Sequence, residues 1–167
     1  MEAGDTRDPV FRNYMRTAGV LAMHELEERL RLAKIKTRTI FVHTAMAIPP
    51  HDSMEWTSKG QFVKASPHER LFSDVSIRPG GGVGESWYGR VLVLFHYQDG
   101  EVEKRGAFIQ YYTEAQKPCP ITRCKRLTPT LGIDNYAVVD VDSILSLAHV
   151  VPCCTDPKYR LVNRFLF

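Results

Sequence analysis

The residues with spacing suited to chemistry are cysteines and one histidine late in the chain. Cys119 and Cys124 form a C-x4-C pair, and His149 precedes Cys153 with three residues between them. Cys119, Cys124, His149 and Cys153 are therefore four soft donors that zinc could take. The first spacing is at the wide end for a zinc-ligand loop, and Cys119 is fenced by Pro118 and Pro120. Ordinary buried or loop thiols are the competing reading, and no cofactor is expected. His24, His43, His51, His68 and His96 are scattered and none sits in a G-x-S-x-G setting, so no enzyme activity is expected. The glycine-rich run from Arg78 to Ser86 has no lysine after its last glycine and no strong helix former behind it. It reads as a connection rather than a phosphate-binding loop.

Recognition chemistry is better represented. Tyr111 and Tyr112 are neighbours on one expected strand and must point to opposite faces, so one is free for a pocket while the other fills the core. Trp87, Tyr88 and Tyr97 are further candidates for the walls of an aromatic recess, which could hold a methylammonium group by cation–π attraction. Arg123, Lys125 and Arg126 cluster in a short basic segment that could contact phosphate, although such residues more often coat a solvated surface. The run Arg29, Arg31, Lys34, Lys36 and Arg38 offers a second phosphate-facing stripe, but cations at a helix C-terminus are already favoured by the helix dipole.

The whole chain sets limits on these ideas. Its 167 residues suit one domain with an appendage, and 44% hydrophobic with 25% charged residues is the composition of an ordinary globular protein. Net charge is +3; split at Ser86, the parts carry 12 basic and 11 acidic, then 10 basic and 8 acidic residues. Polyanion binding would thus need a local patch rather than bulk charge. No apolar run approaches a membrane span and the first residues are not signal-like, so an intracellular protein with reduced thiols and no membrane partner is expected.

The strongest pattern lies between Trp87 and Val151. Val91 to Tyr97 is apolar on both faces, as in a central strand covered on both sides. Asp99-Gly100 marks a turn, Glu101 to Arg105 suggests a longer exposed hairpin loop, and Ala107 to Thr113 returns as a β-branched and aromatic strand. Before this, Asp8-Pro9 caps an amphipathic helix running to about Ala33, with Glu25–Arg29 and Glu27–Arg31 as i,i+4 pairs. Short strands follow at Thr39–His43, Gln61–Lys64 and Asp74–Arg78, with Trp56 as a core anchor. After the hairpin come a strand Tyr136–Val141 and a turn or short helix from Asp142-Ser143 that sets Ile144, Leu147 and Val151 on one face. A terminal strand over Tyr159–Phe167 closes the chain, with Leu161 and Phe165 on one face.

The run YGRVLVLFHY, KRGAFIQYYT, CKRL, YAVVDVDSILSLAHVV and YRLVNRFLF resembles the core of the bromo-adjacent homology (BAH) domain over residues 87–167. Val139 to Ile144 matches that family's V-x-V-x-S-I element, and Val150-Val151 matches the apolar segment after it. The end of the chain is also similar to the C-terminal module of fungal transposon-related proteins. The resemblance implies a mainly β (α+β) fold, a twisted β-barrel of the BAH type over 87–167. An N-terminal amphipathic helix (1–36) would pack on it, followed by a strand and loop extension (37–86). It also implies a nuclear, non-catalytic module that binds chromatin proteins, nucleosomes, histone tails or nucleic acid. The tryptophan that often closes a methyl-lysine cage in the family is missing after the aromatic strand, so Tyr111 or Tyr112 would serve instead. A different reading is a subunit of a larger protein complex that docks through its N-terminal helix or an exposed strand.

Overall fold

The computed structural model describes residues 26–28, 30–32, 39–48, 61–65, 73–78, 86–129 and 135–163. The fold is mostly β, built on two long strands, β5 (Trp87–Asp99) and β6 (Val102–Glu114). They pair antiparallel from Gly89 opposite Tyr111 to Asp99 opposite Val102. The polar run after Gly100 is not the longer loop expected from sequence, because the strand resumes at Val102 and only Gly100 and Glu101 make the turn. Gly100 carries a positive φ of 67°. Positive φ at the first central residue is what a type II′ hairpin turn demands, and it matches the twist of the two strands. Polar residues suit this tip because Val102, Glu103 and Lys104 are exposed, not because the backbone leaves the ladder.

Each long strand is flanked by two short ones. β4 (Asp74–Ile77) pairs with the start of β5, and β1 (Ile40–His43) pairs with its end. On the other side, β8 (Tyr136–Asp140) pairs with the middle of β6, and β7 (Arg126–Pro129) pairs with its end. β9 (Ile144–Leu147) joins β4, so the strands β8-β6-β5-β4-β9 form one continuous ladder. Laid flat, its outer strands would be about 19 Å apart, four inter-strand spacings. Yet Asp140 and Ile144 are joined by only three residues, the 3-10 turn Val141–Ser143, which can bridge at most about 14 Å. The sheet must curl, and it forms a half-barrel. The turn is held from both sides: Arg105 of β6 pairs with Asp142 at 2.8 Å, and the Arg78 amide donates to the Ser143 carbonyl at 2.9 Å. Of the turn or short helix expected from Asp142-Ser143, the structure forms one tight 3-10 turn, which feeds a strand.

The curled sheet has two apolar faces. Inside, Val75, Ile77, Val91, Leu94, Ala107, Ile109, Val141 and Ile144 form one core. A two-stranded ribbon, β2 (Ala45–Ile48) and β3 (Gln61–Lys64), covers it with Met46, Ile48 and Val63. Outside, Val93, Phe95 and Phe108 form a second core. Val91 and Leu94 share a face, although strict alternation would separate them. The register explains it: Val91 faces Ile109 and Val93 faces Phe108, leaving Leu92 as an extra residue in a β-bulge.

Residues 26–28 and 30–32 are helical, and Leu26, fully buried, packs on Val93, Phe95 and Phe108 with Leu30 beside it. Arg31 pairs with Glu28 at 2.6 Å rather than with Glu27, an i,i+3 contact equally available on a helix. The rest of the expected helix, the cations at 29, 34, 36 and 38, Trp56, the glycine-rich run at 79–85 and Phe165 lie outside the described residues. Among the described residues no helix is long and apolar enough to cross a membrane.

Gly106 makes the outer core possible. It sits opposite Phe95 across the hairpin, and a Cβ there would lie within 2.6 Å of the Phe95 ring. Gly106→Ala is therefore expected to destabilise the fold by about 1–3 kcal/mol by pushing Phe95 off its site. Urea unfolding measures this, and adding Phe95→Leu should restore part of the stability.

Candidate functional site: a basic lobe beside the curled sheet

The five aromatic residues expected to form one recess are divided among three places. Trp87 and Tyr111 meet edge to face at 5.5 Å, with Trp87 half exposed and Tyr111 packed against the inner core. Burial raises the Tyr111 hydroxyl above its ordinary pKa. Tyr112 and Tyr88 alternate to the opposite face of their strands. Tyr97 lies ten residues along β5 from Trp87, tilted against Phe95 at 6.0 Å. Only Trp87 and Tyr111 are brought together, and in an edge-to-face pair one ring's face already meets the other's rim.

On the opposite face, Tyr112 belongs to a polar network. Its hydroxyl donates to Asp74 Oδ1 at 2.7 Å, and Arg90 Nε donates to the same oxygen at 3.1 Å. Asp74 and Arg90 face each other across β4 and β5, so register alone sets the pair. Both side chains are largely buried, and two opposite charges removed from water must be matched by geometry. Burial, then the neighbouring Asp74 carboxylate, pushes the Tyr112 hydroxyl far above its usual pKa. The charged residues inside β4 and β5 are the sequence signal for this network: a cation and a carboxylate within strands otherwise buried need each other. His43 and His96 are another pair that sequence reasoning missed, joined by the β1–β5 register with Nε2 and Nδ1 2.6 Å apart and Phe41 stacked on His96.

The basic segment belongs to a small lobe. β10 (Val150–Pro152) and β11 (Arg160–Val162) form a hairpin, and β11 also pairs with β7. The connection from β6 to β7 begins with a tight turn: the Cys119 amide donates to the Cys124 carbonyl at 2.9 Å, and the Arg123 amide donates to the Cys119 carbonyl at 2.9 Å. Arg123 closes that turn in the left-handed region, φ 59°, which costs about 1–2 kcal/mol for a side chain other than glycine. Its side chain is exposed at the tip. Lys125 pairs with Glu114 at 3.0 Å. Arg126 Nε donates to the Lys117 carbonyl at 2.8 Å, and its guanidinium lies 4.5 Å from the centre of the Tyr159 ring. Lys158 approaches the same ring at 4.9 Å.

The fold thus adds Lys117, Lys158 and Arg160 to Arg123, Lys125 and Arg126. Residues 115–129 and 148–163, which build the lobe, hold six Lys or Arg and one carboxylate, net +5, in a chain of net +3. Two of the added cations are hidden from a local reading because they come from β11 and the loop before it, more than thirty residues later. Only the β7–β11 pairing unites them with the basic segment.

Beneath this surface, Cys119, Cys124 and Cys153 form a buried cluster with Leu161, flanked by Val151 and Tyr159. Three of the four residues considered for zinc, Cys119, Cys124 and Cys153, are gathered there. Among the described residues, no three His, Cys, Asp or Glu side chains are grouped so as to hold a metal ion. No protein-family model, curated protein or solved structure matches this chain.

The Asp74 network predicts how stability responds to alkali. Tyr112 keeps its proton in the folded state to a higher pH than in the unfolded chain. Its contribution is therefore full below about pH 10 and declines as pH rises above that. Tyr112→Phe should cost about 1.5–3 kcal/mol at pH 7, the value of a hydrogen bond to a charged group. The gap between the two proteins in urea midpoint should narrow as pH rises from about 9 to 11. Asp74→Ala, which strands the Arg90 charge, should cost more, about 3–5 kcal/mol.

Proposed function

We propose that this protein is a non-catalytic interaction module that grips a nucleic-acid backbone, as presented on a nucleosome, through the basic lobe. The observation that carries this reading is the segregation of charge: net +5 on the lobe, against 6 basic and 9 acidic residues, net −3, over the other described residues. Cations concentrated on one surface attract phosphodiesters by releasing condensed counterions, and the opposite sign elsewhere turns that surface toward the polyanion. Lys117, Arg123 and Lys158 are exposed. Arginine suits this role because its planar guanidinium can take two phosphate oxygens at once, and Arg126 is already positioned by Lys117 and Tyr159. The resemblance of the sequence over residues 87–167 to the BAH domain is what suggests a chromatin setting and a nuclear location. On that reading the corner formed by Trp87 and Tyr111 is a second, weaker contact. A methylammonium held there would gain about 0.5–2 kcal/mol from each ring face it meets.

Fluorescence anisotropy with a duplex and with nucleosomes, read over a salt series, tests the proposal. At about 50 mM salt, Arg123→Glu together with Arg126→Glu should weaken binding roughly ten-fold or more, and the salt slope should fall by about one for each phosphate no longer neutralised. Lys158→Glu should act in the same direction, whereas Trp87→Ala should leave the salt slope unchanged. Absence of binding at low salt, or binding indifferent to all these reversals, refutes the proposal. Retention of histone-tail peptides alone would transfer the role to the aromatic corner.

A further inference from the structure

The cysteine cluster under the lobe has chemistry of its own. Cys119 lies in the connection between β6 and β7, and Cys153 directly follows β10, so the two come from different loops. Both are buried in the same cluster, close enough for the Cys153 thiol to act on the Cys119 pKa. Each sits in the same kind of cradle. The Thr122 hydroxyl and the backbone of Thr122 and Ile121 lower the Cys119 pKa, and the Thr155 hydroxyl, 3.1 Å from the Cys153 Sγ, with the backbone of Thr155 and Asp156 lowers that of Cys153. The groups that act on each sulfur stand two and three residues after the cysteine in both loops. The other thiols are directed elsewhere. Cys124 Sγ donates to the Thr122 carbonyl at 3.7 Å, and Cys154 is exposed.

We propose that Cys119 and Cys153 are a redox pair, closed to a disulfide by a hydroperoxide and reopened by a thiol reductant. Cys119 is the attacking sulfur: donors led by the Thr122 hydroxyl lower its pKa to about 7, which supplies thiolate near neutral pH. With hydrogen peroxide, the Cys119 thiolate bonds to one oxygen, the O–O bond breaks, and the departing hydroxide takes a proton to leave as water. The resulting sulfenic acid is attacked by the Cys153 sulfur; the S–S bond forms, the S–O bond breaks, and the second oxygen leaves as water with the Cys153 proton. Two thiols and one hydrogen peroxide become one disulfide and two waters. A small peroxide needs only a local opening of the surface loop 153–159, where Cys154 and Thr155 are already exposed. The bond would tie the loop carrying Lys117 and Arg123 to the loop carrying Lys158.

The test treats the reduced full chain with hydrogen peroxide, alkylates the remaining thiols, and reads intact mass and the map of linked peptides. The expected product has lost two hydrogen atoms and carries two alkyl groups where the reduced control carries four, shows a Cys119–Cys153 cross-link, reverts with dithiothreitol, and before alkylation melts roughly 5 °C higher than the reduced protein. Cys124→Ser and Cys154→Ser should still form the link; Cys119→Ser and Cys153→Ser should not. The wild-type peptide map decides the matter even if a variant fails to fold. Over-oxidation of Cys119 without a cross-link overturns the proposal, as does a Cys119–Cys124 or Cys153–Cys154 link. Stoichiometric zinc that co-purifies and blocks alkylation also overturns it, in favour of a metal site.

Discussion

The three-residue link between β8 and β9 is the constraint on which the rest of the structure depends. Strands on opposite flanks of the central hairpin cannot be joined by so short a segment unless the sheet between them bends. The bend creates an interior, and Val141 and Ile144, at the start of the link and just past its end, lie fully buried in that interior. The same curvature leaves a convex face, which Phe95 and Phe108 would expose to water if Leu26 and its neighbours did not cover it. One connection length thus dictates a hydrophobic layer on each side of the hairpin. The bulge at Leu92 then lets a single strand serve both layers, since it shifts which side chains look inward part-way along β5.

The lobe answers to different forces. It extends the sheet beyond the end of β6, where three short strands share few hydrogen bonds and cysteines with Leu161 make up most of a small core. A core of that size gives modest stability, and side-chain contacts over the backbone supply part of the shape. Arg126 spans Lys117 and Tyr159, while Lys125 reaches back to Glu114. Arg126 and Lys125 therefore have a structural duty, their side chains held by contacts within the protein.

Much of this is legible from residue pattern. The apolar run Val91 to Tyr97, the Asp99-Gly100 turn and the aromatic return strand mark the hairpin, because alternation and turn chemistry act locally. Short strands at Ile40–His43, Gln61–Lys64 and Asp74–Ile77 are visible for the same reason. The hairpin tip misleads, since a polar stretch resembles a loop whether or not its backbone is paired. β2 escapes a sequence reading because Ala45-Met46-Ala47-Ile48 carries no β-branched signal before its last residue. The site is legible only in part. Arg123, Lys125 and Arg126 are neighbours in the chain, but Lys158 and Arg160 join them through a pairing that no local pattern encodes. The aromatic recess fails as a single unit because neighbours on a strand diverge, and because Tyr97 is ten residues from Trp87 on the same strand.

The bulge at Leu92 also bears on how such a sequence can diverge. Between Gly89 and Phe95 the strand changes its inside-outside phase once, and that phase is matched to fixed partners, Ile109 on one face and Phe108 on the other. Deleting or inserting one codon there would exchange buried for exposed positions along one side of the break. Length changes should therefore collect in the connections, while the hairpin drifts by substitution alone.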